Sequence, residues 1–296
     1  MTTTEASTTP ASRPKRQRLT IRGRWQVLRR TWKQMSEDHV TLVAGGVAFA
    51  WFLALFPGLI AAVMIYGLVT DPADVQRQVT NISEGLPSGA DTLLSDQMSS
   101  IASGSSQALS IGLVISLAFA LWSTSAGIAG LVEAVNIAYG EEESRNFIVK
   151  RGLALLLTIG FIVFLALAIG LIAVLPVVLN EIGVGAIATT AVGVIRWLGL
   201  VVLAIVAIGL IYRIGPDRDE PKAGWLSIGA ITATALWIAA SVGMSLFVDN
   251  FGNYGETYGS LAGVVVLMLW MWITAIAVLL GAELNSETET QVAHES

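Results

Sequence analysis

Cysteine is absent from the 296 residues, which excludes a disulfide framework, a thiol nucleophile, an iron–sulfur cluster and a cysteine zinc site. Histidine is nearly absent. His39 and His294 are the only two, too few for most catalytic metal centres. Charge is scarce as well: Asp, Glu, Lys and Arg make up 13% of the chain, against roughly a quarter in soluble domains. Apolar residues fill the gap, at 54% of the chain with a mean hydropathy of +0.69. A globule of this size cannot hide so much apolar side chain from water. Composition alone therefore indicates an integral membrane protein.

The net charge of −5 conceals an asymmetry. Residues 1–36 carry nine Lys and Arg against one acid, Glu5, whereas residues 37–296 carry eight against 21 Asp and Glu. A bilayer span needs about 20 mostly apolar residues. Six segments qualify, at roughly 41–69, 109–132, 152–179, 197–213, 225–248 and 261–282, with Arg196 at the edge of the fourth. The N-terminal region and the loops after the second and fourth spans hold 15 basic residues, among them Arg145, Lys150, Arg151, Arg213, Arg218 and Lys222. The other side holds Arg77 and Arg196 alone. By the positive-inside rule both termini are expected in the cytoplasm, as an even number of spans requires. The basic region is too long, and the first apolar stretch too extended, for a cleaved signal peptide.

Outside the spans, residues 1–18 are rich in Thr, Ser, Ala and Pro and read as a disordered tail. Over 19–36, Ile21, Trp25, Leu28, Trp32 and Met35 recur at steps of three and four, with most of the arginines off that stripe. This is a basic amphipathic helix suited to the cytoplasmic lipid surface. Residues 37–285 form the six-helix domain. Within it, stripes such as Val75, Val79, Ile82 and Leu86 predict short amphipathic helices at the outer face. Residues 286–296 are polar and read as a second disordered tail.

Small residues predict how the spans pack, because membrane helices associate where backbones can approach closely. Gly46, Ala50, Ala54 and Gly58 line one face of the first span, and Gly112, Ser116, Ala120 and Thr124 one face of the second. Pro57 removes a backbone hydrogen bond from the first span. A kink or break is expected there, with a freed carbonyl able to line a polar cavity.

Ionisable and amide groups beside spans are expensive, so each invites a function. Asp38, His39, Glu133, Asn136, Arg213, Glu283 and Asn285 should all lie near the cytoplasmic interface. Together they could bind a headgroup or cation, or relay protons; alternatively they only anchor helix ends. Arg196 and Asp249 are a candidate ion pair on the outer side. Thr257-Tyr258-Gly259-Ser260 has only a loose likeness to a potassium filter, occurs once, and is rejected as one.

The ordered set Gly46-Val47-Ala48-Phe49, Ala54-Leu55-Phe56-Pro57, Tyr66-Gly67-Leu68, Asp71-Pro72, Leu121-Trp122-Ser123, Ala138-Tyr139-Gly140-Glu141, Tyr212-Arg213, Tyr258-Gly259-Ser260-Leu261 and Leu280-Gly281-Ala282-Glu283-Leu284-Asn285 resembles the YihY / virulence factor BrkB family of bacterial inner-membrane proteins. The resemblance covers roughly residues 20–286. Ala50-Trp51 stands where the family has a Tyr-containing stretch, so a role for that tyrosine does not transfer. What the resemblance implies is an all-α, six-helix protein of the plasma membrane. It brings two labels, virulence factor and ribonuclease BN. The second fits poorly, since hydrolysis of RNA calls for clustered metal ligands or a histidine pair.

Three functions are thus weighed: a translocator of lipid or another amphiphile, a structural or partner-binding envelope protein, and a ribonuclease. The first is preferred, with no enzyme activity, cofactor or metal expected. Expected partners are membrane lipids, with anionic headgroups at the basic helix; nucleic acid is not expected, and a homo-oligomer is compatible with the chain. Glu133→Gln and Glu283→Gln are expected to stop translocation without preventing insertion.

Overall fold

The computed structural model describes residues 21–69, 106–176, 186–218, 227–250 and 260–295, with side chains in most of them. Seven helices occur among these residues: α1 (Ile21–Glu37), α2 (Val40–Val69), α3 (Ser106–Tyr139), α4 (Phe147–Ile169), α5 (Ala186–Ile214), α6 (Ile228–Asn250) and α7 (Ser260–His294). No strand occurs among them. Helices α2 to α7 are each long and apolar enough to cross a membrane. The six-span, all-α architecture expected from composition is thus present. The outer amphipathic helices, the 1–18 tail and the filter-like string fall outside the described residues, apart from Ser260.

Each helix end has a local cause. Helix α1 stops at Asp38-His39, where His39 takes φ 49°, a left-handed conformation in which His is more frequent than most residues. Its carbonyl then accepts from the N–H groups of Leu42 and Val43 and starts α2. Gly140, at φ 66°, ends α3 as a left-handed cap. Asn146 opens α4, its side chain accepting from the Val149 N–H at 3.0 Å. Near Pro176, α4 loosens into a π-turn over Gly170–Val174.

Three helices run well beyond the expected spans, α5 among them at 29 residues. At 34 and 35 residues, α3 and α7 measure about 50 Å each, well beyond a ~30 Å hydrocarbon core. Their excess forms a packed layer at the end of the bundle that carries α1. The buried core lies there: Val40, Ala44 and Val47 of α2, Leu131, Val135 and Tyr139 of α3, Tyr212 of α5, Ala230 and Ala233 of α6, and Val278, Leu279 and Ala282 of α7.

Three expectations need correction. Residues 286–294 are not a disordered tail; they continue α7, because Gln291 packs on α1 and accepts from Arg30 at 3.2 Å. Glu289 likewise pairs with Arg218 at 2.8 Å. Arg196 is not at the edge of a helix, since α5 begins ten residues earlier at Ala186. Pro57 does not break α2, which runs through it without interruption.

The small-residue faces meet. Ala50 and Ala54 of α2 lie against Gly127 and Gly130 of α3, and a Cβ on Gly58 would stand 3.5 Å from the Thr124 hydroxyl. The α3 side of the seam includes Thr124, as expected, and continues to Gly127 and Gly130; Ala120 is also buried. Helices α6 and α7 approach even more closely. A Cβ on Gly281 would stand 2.6 Å from the Gly229 carbonyl oxygen and 2.5 Å from the Tyr212 hydroxyl.

Candidate functional site

The polar residues singled out in the sequence separate into three places. Asn136, buried at the end of α3, donates to Glu143 at 2.9 Å and accepts from the Asp217 N–H at 2.8 Å. Around it, Arg145 grips Glu143 through two bonds of 2.7 Å and reaches the Gly215 carbonyl at 2.8 Å. Asp217 accepts from the Ser144 N–H and hydroxyl at 2.7 and 2.6 Å. Arg145 holds the Glu143 carboxyl below its usual range, and the Ser144 hydroxyl does the same for Asp217. Glu143 in turn holds the Arg145 guanidinium up. This knot ties the α3–α4 loop to the segment after α5. Beside it, Arg218 lies over the Tyr139 ring, 4.2 Å from its centroid.

Asn285 sits elsewhere, at the start of α6. It accepts from the Gly229 N–H at 2.8 Å and donates to Ser227 Oγ at 2.8 Å, satisfying one of the N–H donors that a helix start leaves open. The third place is Glu283, fully buried on α7. Among the described residues no donor reaches either of its oxygens, and Asp38 and Glu287 face it. His39 and Glu133 are exposed, and Arg213 is partly buried. Within one packed layer the expected inner residues thus fall into separate hydrogen-bonded groups. Its two asparagines serve folding contacts, and of the acids only Asp38 and Glu283 come together. Arg196 stacks on Trp197, 5.7 Å from the ring centroid; its proposed partner Asp249 has no described side chain.

A concave site among the described residues lies on a different face, between α2, α3 and the start of α4. A cavity of about 580 Å³ is lined by Phe49, Leu53, Pro57, Phe119, Trp122 and Arg151, with small residues between them. That volume falls within the roughly 300–1,000 Å³ usual for small-molecule sites. Phe49, Leu53, Phe119 and Trp122 are themselves exposed, so the cleft is a groove rimmed by bare apolar side chains. Pro57 has no N–H, which deprives the Leu53 carbonyl of its regular helical partner. Among the lining residues Ser123 carries a hydroxyl and Arg151 a charge.

Arg151 stands one turn into α4 and lies over the Trp122 ring, 4.0 Å from the centroid. One terminal nitrogen donates to the Trp122 carbonyl. Its Nε is buried and has no partner among the described residues. A guanidinium carries five donors in a planar fork matched to carboxylate or phosphate, so an unused edge is an anion-binding feature. Reading Arg151 only as a topology charge missed this. Helical spacing could have found it, because Arg151 shares a face with Ala154 and Thr158, both buried, whereas Phe147 and Trp122 close the flank with rings 6.4 Å apart.

Comparison with known proteins agrees with the architecture. The family model described as virulence factor BrkB matches residues 31–296. The ribonuclease-like protein YfkH of Bacillus subtilis is 31% identical over 249 residues, 81% of this chain and 86% of its own length. A UPF0761 membrane protein of Alteromonas mediterranea is 25% identical, covering 85% of this chain and 83% of its own. One of Aeromonas salmonicida is 23% identical, covering 85% of each. No solved structure matches.

Proposed function

Because the chain belongs to the virulence factor BrkB family of integral membrane proteins, we propose that it moves a lipid or another amphiphile across the bacterial plasma membrane, with both termini in the cytoplasm. One observation carries this reading: a groove walled by apolar side chains, open at its rim, with a single guanidinium in its lining. Such a groove suits a molecule with a hydrocarbon part and a polar end. Helix α1 supports the same reading. It packs on α7 and leaves Trp25, Leu28 and Trp32 exposed, alongside Arg29 and Lys33, as an interfacial helix on anionic lipid would.

The test is transbilayer movement of fluorescent lipids in reconstituted vesicles. Movement above protein-free controls is expected for at least one headgroup; none across several headgroups would remove the proposal. The ribonuclease-like name of the Bacillus relative motivates a second assay. His39 belongs to a backbone turn, and the proposal gives it no part in RNA cleavage. RNA cleavage that survives removal of contaminating nuclease would overturn this part of the proposal.

A further inference from the structure

The groove's lining is uneven, and the unevenness bears on what enters it. Its walls are apolar along α2 and α3, from Phe49 to Pro57 and from Phe119 to Ala126. The one charged group among its lining residues is cationic, with no acid beside it. The Trp122 carbonyl already accepts from Ser125 at 2.8 Å as well as from Arg151. It is thus a weak counterweight to a full positive charge. A half-buried cation in this state gains from a bound anion, since charge-assisted bonds are about twice as strong as neutral ones. A small soluble anion would satisfy the guanidinium and leave the apolar rim bare.

We infer that the groove binds a lipid with a net-negative phosphate headgroup, its phosphate on Arg151 and an acyl chain along Phe49, Leu53 and Phe119. This rests on the translocation reading for its role, but binding can be measured apart from movement. Trp122 holds the guanidinium plane in place by stacking, which fixes the position of the positive charge at the groove.

The probe is phosphatidylglycerol carrying a photoreactive diazirine in one acyl chain, in vesicles of phosphatidylcholine, with labelled sites mapped by mass spectrometry. Labelling of α2 and α3 groove peptides is expected, at about fivefold the level of a phosphatidylcholine probe with the same chain. Arg151→Gln should remove that excess, and Arg151→Lys should keep only part of it. Labelling near Trp25 and Trp32 of α1 should not change, which controls for general attraction to the basic face. Ala126→Trp, which fills the groove without touching the charge, should also abolish groove labelling and guards against misfolding of the Arg151 variants. Glycerol phosphate added at the same concentration should not compete.

Equal groove labelling by both probes, or an undiminished excess in Arg151→Gln and Ala126→Trp, would overturn the inference. Competition by glycerol phosphate would overturn its lipid component. Selective, Arg151-dependent labelling without lipid movement would uphold the inference while removing the translocation reading. Lipid movement without selective labelling would do the reverse.

Discussion

The two ends of α3 face different demands. Its last two turns, with α1, the ends of α5 and α7 and the start of α6, form a closed layer in which costly polar groups are matched: Asn136 with Glu143 and Asp217, Asn285 with Gly229 and Ser227, and Arg218 with Glu289. Some fifteen residues earlier, the same helix helps wall a groove where Arg151 stays under-satisfied. Unpaired buried polar groups are destabilising, so a fold retains one where something else completes it. Position near a membrane end says little about function; the state of hydrogen bonding says more. Matching within the packed layer is itself incomplete: the Glu283 carboxyl, the Thr31 hydroxyl and Arg218 Nε are buried with no partner among the described residues.

The comparison can be broken most severely at the α6–α7 contact. Gly281→Ala would force a methyl group against the Tyr212 hydroxyl and the Gly229 carbonyl. The cost should reach or pass the ~3 kcal/mol upper end of overpacking, read as loss of folded protein in detergent. Gly46→Ala, whose Cβ meets nothing within 4 Å, should be nearly neutral. Equal behaviour of the two would show that the close approach is not structural.

A smaller loss is expected from Asn136→Ala, which strips a partner from Glu143 and from the Asp217 N–H. About 1–3 kcal/mol should be lost, measured by thermal denaturation in detergent. Acid probes the same knot. Glu143 and Asp217 have lowered carboxyl affinities for protons in the folded chain, so their contribution is complete above the ordinary carboxyl range near pH 4. It is then lost as pH falls through their depressed values. Resistance to unfolding should therefore decline below about pH 4, and Glu143→Gln should shallow that decline. A decline of unchanged steepness in the variant would assign acid sensitivity elsewhere.

The smallest effect is expected at Glu133, which is exposed on α3. Glu133→Gln should leave both stability and lipid movement within about twofold of wild type, since surface substitutions stay within roughly 0.5 kcal/mol. This narrows the expectation drawn from sequence, where Glu133 and Glu283 stood as equals. A one-turn separation from Asn136 did not place Glu133 on the buried face.

Much of the fold was legible because a bilayer imposes a simple rule of length and apolarity, and all six spans obey it. What the rule could not show is where a helix continues beyond the hydrocarbon. The 286–294 segment has no apolar stripe to mark it; it is helical because Arg30 and Arg218 engage it. Likewise the start of α5 is hidden by Arg196, a charge that stacking on Trp197 accommodates inside a helix. Pro57 was readable as a special position and does line the groove. Arg151 was not, because one basic residue in a loop-flanking cluster looks like its neighbours until partners across the fold are known.

The central claim is that the packed layer is scaffold and the groove is the working part. Its most direct test compares lipid movement per folded molecule in wild-type, Asn136→Ala and Arg151→Gln protein reconstituted side by side. Asn136→Ala should match wild type despite its lower stability, while Arg151→Gln, though folded, should fall several-fold for anionic lipid. A folded Arg151→Gln that works normally, with Asn136→Ala inactive per folded molecule, would contradict it.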